Sequence, residues 1–303
     1  MFDNVLVGVD GRSGGRDAIA LAARLSPPQA KLTLAHVHGG ELHPVHAITP
    51  GLVAQEREAC EALLERERNA AELGPERDVQ LVNIVAMSAG RGLHQQAEQL
   101  GADLLVVGSC GYGAFGRAML GDDTRAALNG APCAVAIAAR GFVDSSPAAG
   151  PITRIGVAYN ESAEAQAALA LARTLAEPTH SRVQVLEVVS IPTYAFTGLM
   201  PVAIGESIEV ILAEANARIG ALDDVDGRAV YGMPGEELAA FGDQLDILVV
   251  GSRSYGAARR LVLGSTSNYL ERHARCSLLV LPRPTTGGDG TSRRLDASVA
   301  STV

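Results

Sequence analysis

Tryptophan is absent from the 303 residues, and lysine occurs once, as Lys31. Phenylalanine, tyrosine and tryptophan together make up only 4% of the chain. The cores must therefore be filled by Ala, Val and Leu from the 47% of residues that are apolar, and a chain of this length can build two ordinary domains from them. Positive charge is also scarce, with 25 Lys and Arg against 34 Asp and Glu, a formal net charge of −9. That balance excludes the basic footprint needed to hold the phosphate backbone of a nucleic acid. The four cysteines, Cys60, Cys110, Cys133 and Cys276, form neither a C-x-x-C pair nor a zinc-ligand spacing, so no disulfide framework or zinc ribbon is expected. No run approaches the roughly 20 apolar residues of a membrane span. The opening MFDNVLVGVD lacks the basic start of a signal peptide. The expectation is a cytoplasmic protein that binds neither nucleic acid nor membrane.

What is present is a repeat. VLVGVDGRSGGRDAIALAARL, residues 5–25, aligns without gaps with IGVAYNESAEAQAALALARTL, residues 155–175. DLLVVGSCGYGAFGRAMLGDD, residues 103–123, matches DILVVGSRSYGAARRLVLGST, residues 246–266, and APCAVAI matches ARCSLLV. The offset falls from 150 to 143 between these blocks, so insertions and deletions lie between them. Each copy reads as five strands separated by four helices. In the first copy the strands are expected near 4–9, 31–38, 79–86, 103–108 and 133–138, with a long helix near 52–72. Strands dense in Val, Ile and Leu that alternate with helices predict a doubly wound α/β sheet of parallel strands in each half. The expected domains are residues 1–140 and 151–284. GFVDSSPAAG, residues 141–150, is the expected linker, and residues 285–303 are an expected disordered tail.

Several motifs have plainer readings. Gly11-Arg12-Ser13-Gly14-Gly15 satisfies the G-x-S-x-G pattern of a hydrolase nucleophile elbow. Its repeat partner, Glu161-Ser162-Ala163-Glu164-Ala165, has neither glycine, and the motif follows the first strand, with no earlier strand to supply an oxyanion hole. Gly111-Tyr112-Gly113-Ala114-Phe115-Gly116 satisfies the dinucleotide fingerprint but follows the fourth strand, with no acid at the expected distance. His36 and His38 share one strand face, and His43 and His46 follow in the loop. The plain reading is one core-facing pair and two solvated histidines, a metal site being the alternative. In the gapless repeat alignment, Leu186 and Val188 stand at the two strand positions.

The remaining constellation is Gly108-x2-Gly111-x9-Gly121 in the first copy and Gly251-x2-Ser254-x9-Gly264-Ser265 in the second. Glycines let backbone N–H groups approach phosphate oxygens, and a following helix offers its unpaired N–H groups and positive dipole end. Ser265 and Thr266 add hydroxyl donors. No Walker lysine is present, so a P-loop NTPase is excluded. The spacing, with VGVDGR at the first strand and APC before the last, resembles the ATP-binding universal stress proteins over almost the whole chain, as two tandem UspA-like domains. That resemblance implies five-stranded parallel sheets in strand order 3-2-1-4-5, helices on both faces, and fifth strands paired between domains as an internal pseudo-dimer, with a further homodimer also open. It also implies that Asp10 or Asn160, at the end of the first strand, holds adenine or ribose.

The copies depart from the pattern in different ways. The first keeps Asp10 and three glycines but has Asp122 where Ser or Thr is usual, and the second has Asn160 and Ser254. A carboxylate about 5 Å from a phosphate costs roughly 3 kcal/mol at an effective dielectric near 20, so the second copy is the expected ATP site. Asp122 reads either as a helix cap that acts as a built-in anion or, with Asp123, as a Mg²⁺ ligand. No residue is evidently placed to activate water at the γ-phosphate. The reading is a regulatory nucleotide-binding protein with an unidentified protein partner. A nucleotide-free interaction module and a slow ATPase stand beside it as alternatives.

Overall fold

The computed structural model describes residues 1–39, 50–71, 73–109, 126–127, 129–145, 151–190, 201–252, 261 and 264–282. The first half contains β1 (Asn4–Gly8), α1 (Ser13–Leu25), β2 (Lys31–His38), α2 (Pro50–Ala70), β3 (Val79–Val85), α3 (Ala89–Leu100), β4 (Leu104–Gly108) and β5 (Ala134–Ala138). After α4 (Phe142–Ser145) the second half runs β6 (Ile155–Ala158), α5 (Ala163–Ala176), β7 (Val183–Val189), α6 (Pro201–Gly220), β8 (Val225–Tyr231), α7 (Pro234–Gly242), β9 (Ile247–Gly251), α8 (Ser265–His273) and β10 (Ser277–Leu281). The first-half strands begin and end within a residue of the expected positions, because each apolar run is bounded by polar turn residues.

All ten strands form one sheet in the order β3-β2-β1-β4-β5-β10-β9-β6-β7-β8. Each half has the expected 3-2-1-4-5 order with parallel pairing, and the halves join where β5 and β10 pair antiparallel. In that pairing Ala136 lies opposite its own repeat equivalent, Leu279, and Val135 opposite Val280. The fifth strands thus meet about a pseudo-twofold axis, as an isologous interface does. Ser277, fully buried, accepts the Ala139 N–H at 3.1 Å across the seam.

Helices cover both faces. On α1, Ala18, Ile19, Leu21, Ala22 and Leu25 form one buried stripe against Val5, Val7, Leu32 and Leu34. On the opposite face, Leu93 and Ala97 of α3 pack with Leu6, Leu105 and Val107. The end strands β3 and β8 are only partly buried and carry polar residues such as Asn83 and Arg228. No helix among the described residues is long and apolar enough to cross a membrane.

The segment expected to be a linker begins as packed structure. Asp17 on α1, only 2% exposed, accepts the N–H groups of Gly141 and Val143, each at 2.9 Å. Phe142 between them is buried, with the Arg24 guanidinium 4.6 Å above its ring centre. Burial pushes the Asp17 carboxyl above its ordinary range, against the opposing pull of these N–H donors. Residues 146–150 and 283–303 lie outside the described residues.

Candidate functional site

The strand order reverses between β1 and β4 and again between β6 and β9. Helices α1 and α2 pack on one face of the sheet and α3 on the other. The carboxyl ends of β1 and β4, and of β6 and β9, are thus switch points of the strand order, where α/β sheets take ligands. Asp10 and Gly108 stand at this point in the first half, and Asn160 and Gly251 in the second.

The two first-strand turns have the same backbone and different chemistry. Asp10 is exposed, and its Oδ1 accepts the Arg12 N–H at 3.0 Å. Gly11 next to it adopts φ 75°, with Leu63 and Arg66 of α2 against it. In the second half Asn160 Oδ1 accepts from Ser162 Oγ at 2.7 Å and from the Ser162 N–H at 3.4 Å. Ser162 Oγ in turn accepts the Ala165 N–H at 3.2 Å and caps α5. Glu161, in the place of Gly11, takes φ 57° without being glycine, a conformation that costs a residue with a Cβ about 1–2 kcal/mol. Its carboxylate lies 3.1 Å from Arg218 Nε, and Arg218 also binds Glu187 Oε1 at 2.7 Å.

Gly108 and Gly251, read from the sequence as phosphate-loop residues, have a packing task as well. A Cβ on Gly108 would lie 2.0 Å from the carbonyl oxygen of Gly14, in the first turn of α1. A Cβ on Gly251 would lie 2.6 Å from Glu164 Cβ in the first turn of α5. The start of the helix after each first strand therefore rests directly on the end of the fourth strand.

Just beyond these glycines, Ser109 and Ser252 are 8% and 1% exposed, and neither hydroxyl has a hydrogen-bond partner among the described residues. A buried polar atom without a partner calls for an explanation, such as a water or a ligand atom. Helix α8 begins at Ser265 with Gly264 as its N-cap and no side-chain cap. Gly264 is extended, at φ −76° and ψ 174°, and its carbonyl accepts the Asn268 N–H. The N–H groups of the first helical turn point outward without an intrahelical partner. Ser265 is exposed and Thr266 half-buried beside them. Gly111, Gly121 and Ser254 lie outside the described residues, as do Cys110, Asp122, Asp123, His43 and His46.

The strand register corrects one equivalence. Gly8 pairs with Ala35 and Ala158 with Leu186, so His36 and His38 correspond to Glu187 and Val189, not to Leu186 and Val188. The linkers entering β2 and β7 differ by one residue, which moves every side chain to the other face. His36 Nδ1 donates to the Val9 carbonyl at 2.7 Å, and His38 Nδ1 lies 3.6 Å from Glu56 Oε2. His36 is therefore committed to the backbone, while His38 Nδ1 is buried beyond hydrogen-bond reach of Glu56. Among the described residues no group of three or more His, Cys, Asp or Glu is gathered for a metal.

Polar groups that the sequence reading passed over gather behind the same turns. Glu67, 1% exposed on α2, binds Arg16 Nε at 3.0 Å and Arg66 at 3.3 Å. With Leu64 laid on Ala215, Glu67 corresponds to Arg218, so the halves place opposite charges at one position. A lone Glu in VQVLEVV was the signal available for Glu187. Burial pushes the thiols of Cys133 and Cys276 up to about 12, so neither is a ready thiolate.

The universal stress protein family model matches residues 1–139 and again residues 151–282. A universal stress protein of Thermus aquaticus is 31% identical over 131 residues, 41% of this chain and 95% of its own length. One of Synechocystis is 37% identical over 67 residues, 21% of this chain and 62% of its own. The crystal structure of a universal stress protein from Archaeoglobus fulgidus aligns with a TM-score of 0.64 at 16% identity, covering 93% of this chain and 99% of that one. At that identity the likeness shows the fold alone.

Proposed function

The chain belongs to the universal stress protein family, and on that premise we propose that it is a regulatory stress-response protein that binds ATP and holds it without efficient turnover. Residues 1–140 and 151–284 are its two domains, and the second is the stronger nucleotide site. The observation that carries this reading is the start of α8. Gly264 leaves the first turn without a side-chain cap, and Ser265 and Thr266 add hydroxyls. Such a helix end stabilises an anion through its N–H groups and dipole. The buried, unpartnered hydroxyl of Ser252, at the end of β9, fits a second donor to the same ligand.

ATP supplies the phosphates that this end of the helix receives, and Mg²⁺ supplies charge neutralisation when bound with it. Asn160 holds the sugar or base side of the nucleotide across the switch point, with Asp10 in the same role in the first half. In the first half the corresponding sequence pattern is Gly108, Gly111 and Gly121 followed by Asp122, an acid that would compete with the phosphate. In the second half it is Gly251, Ser254 and Gly264 without such an acid.

The test is to denature the purified full-length protein and chromatograph what is released. ATP supports the reading, ADP or AMP points to turnover, and an empty protein points to an interaction module. In a titration, Gly264→Val is expected to weaken ATP binding at least about tenfold, by crowding the N–H groups with a branched side chain, while Gly121→Val leaves it within about twofold. The reverse result would move the site to the first half.

A further inference from the structure

We infer that the two switch points offer their ligand opposite hydrogen-bonding polarity: the first half, through Asp10, selects a free ribose diol, and the second, through Asn160, accepts a sugar whose oxygens can only accept. The inference rests on the proposed nucleotide sites and concerns what each of them recognises.

The argument begins with which atom of each side chain is already committed. Asp10 Oδ1 is taken by the Arg12 N–H. A backbone N–H can only donate, so one carboxylate oxygen faces inward and Oδ2 remains as an acceptor on an exposed residue at the switch point. In the second half the amide orientation is fixed by the same logic. The Ser162 N–H can only donate, so the atom that receives it must be the Asn160 oxygen. Ser162 Oγ, which accepts from Ala165, spends its own proton on that same oxygen. The Asn160 NH₂ group is left outward, with two donors and no acceptor.

The turns are otherwise equivalent, since Gly11 and Glu161 both adopt positive φ and hold the two side chains alike. At the end of the neighbouring fourth strand each half also has a buried hydroxyl, Ser109 or Ser252, without a hydrogen-bond partner among the described residues. The difference is therefore one of polarity at a shared position. A carboxylate oxygen takes hydroxyl protons and repels an oxygen that carries only lone pairs. An amide NH₂ donates equally well to a free hydroxyl and to an etherified one. A hydrogen bond from a hydroxyl to an ionised carboxylate is stronger than one between neutral groups, so a ligand that cannot donate it loses about tenfold in affinity.

The exchanges Asp10→Asn and Asn160→Asp reverse the outer atom alone, because either residue can keep the inner oxygen on its N–H donor. The full-length protein and the two variants would be titrated with ATP and with 2′,3′-di-O-methyl-ATP, whose sugar oxygens accept but cannot donate. If the first half holds the nucleotide, Asp10→Asn removes an affinity penalty of about 10-fold against the methylated ligand. If the second half holds it, Asn160→Asp introduces a penalty of that size. ATP binding with a ligand ratio that neither exchange moves by more than about twofold overturns the polarity assignment while leaving the nucleotide reading intact. Failure of the unaltered protein to bind ATP overturns the nucleotide reading, and the assignment falls with it.

Discussion

The contact between the first helix of each half and its fourth strand makes the sharpest prediction, because it separates packing from binding at residues that serve both. In Gly108→Ala the new Cβ would lie 2.0 Å from the Gly14 carbonyl oxygen, 2.3 Å from its carbonyl carbon and 2.7 Å from its Cα. The first of these is about 1.5 Å inside an ordinary van der Waals separation. All three atoms are backbone, so no rotamer change can relieve the overlap. Helix α1 would have to lift from the sheet, loosening the contacts of Ile19, Leu21 and Leu25, which are 1% exposed or less. Overpacking of this kind costs typically 1–3 kcal/mol and sometimes more, and the depth of the overlap places Gly108→Ala at about 3 kcal/mol or above.

In Gly251→Ala the nearest atoms are Glu164 Cβ at 2.6 Å and that residue's carbonyl group at 2.9 Å, a shallower overlap that should cost about 1–2 kcal/mol. Gly220→Ala is the control, because nothing lies within 4 Å of its added Cβ and alanine favours the helix by up to about 1 kcal/mol. The assay is thermal unfolding of the nucleotide-free protein. At about 2–4 °C per kcal/mol for domains of 150–250 residues, Gly108→Ala should melt at least about 6 °C lower. Adding ATP should not restore the difference, since the damage precedes any ligand. A Gly108→Ala protein within about 1 kcal/mol of the unaltered chain, or milder than Gly251→Ala, would refute the reasoning.

Other expectations concern groups outside the glycine turns. Asp17→Ala leaves the Gly141 and Val143 N–H groups without their acceptor and should cost about 2 kcal/mol in urea denaturation. Because burial raises the Asp17 carboxyl, its contribution is fully present below the ordinary carboxylate range and declines as pH rises through the raised value. The unaltered protein should therefore lose stability over that interval relative to Asp17→Asn, whose amide does not titrate. Asp246 shows the opposite sign. Burial raises its carboxyl, but the Arg154 side chain and the N–H groups of Arg154 and Thr153 outweigh that and hold it below its ordinary value. Its stabilisation is present above the ordinary value and is lost as pH falls through the lowered one, so Asp246→Asn should flatten the acid limb of stability against pH. At Glu161 both Gly and Ala remove the ion pair with Arg218, and only Ala retains the penalty of φ 57°. Glu161→Gly should therefore be more stable than Glu161→Ala by about 1 kcal/mol, measured by the same denaturation.

The fold was legible because its signals were local and occurred twice. Runs such as LLVV and ILVV are apolar at successive positions, as a strand covered on both faces requires, and their shortness and the glycine that follows each separate them from a buried helix. The seam was legible only through the family resemblance, since nothing in AVAIA or SLLVL states that the two strands pair with each other. Asp17 was not legible at all. It stands two residues before Ile19 in an Ala/Leu helix and reads as a surface position, and its task depends on a segment more than a hundred residues away. Gly108 and Gly251 were legible as necessary glycines, but their position beside a phosphate-loop pattern concealed the helix that rests on them.

The sequence alignment also showed how a correct repeat can mislead about a site. The 150-residue offset holds through the first strand and helix, where Asp10 faces Asn160 and Gly11 faces Glu161. It fails one element later, and the backbone reveals this: the Val9 N–H meets the Ala35 carbonyl, and the Tyr159 N–H meets that of Leu186. At the offset of 150, His36 faces the buried Leu186, a position without polar chemistry in the second half. In the true register it is replaced by Glu187, held by Arg218 where the first half has Glu67 with Arg16 and Arg66. The two halves thus share a backbone and exchange polar partners at three equivalent places, Asp10 with Asn160, His36 with Glu187 and Glu67 with Arg218. Of the buried acids among them, Glu67 is held by Arg16 and Arg66, and Glu187 by Arg218 through Oε1, so the charge that neutralises the buried carboxylate comes from α1 and α2 in the first half and from α6 in the second.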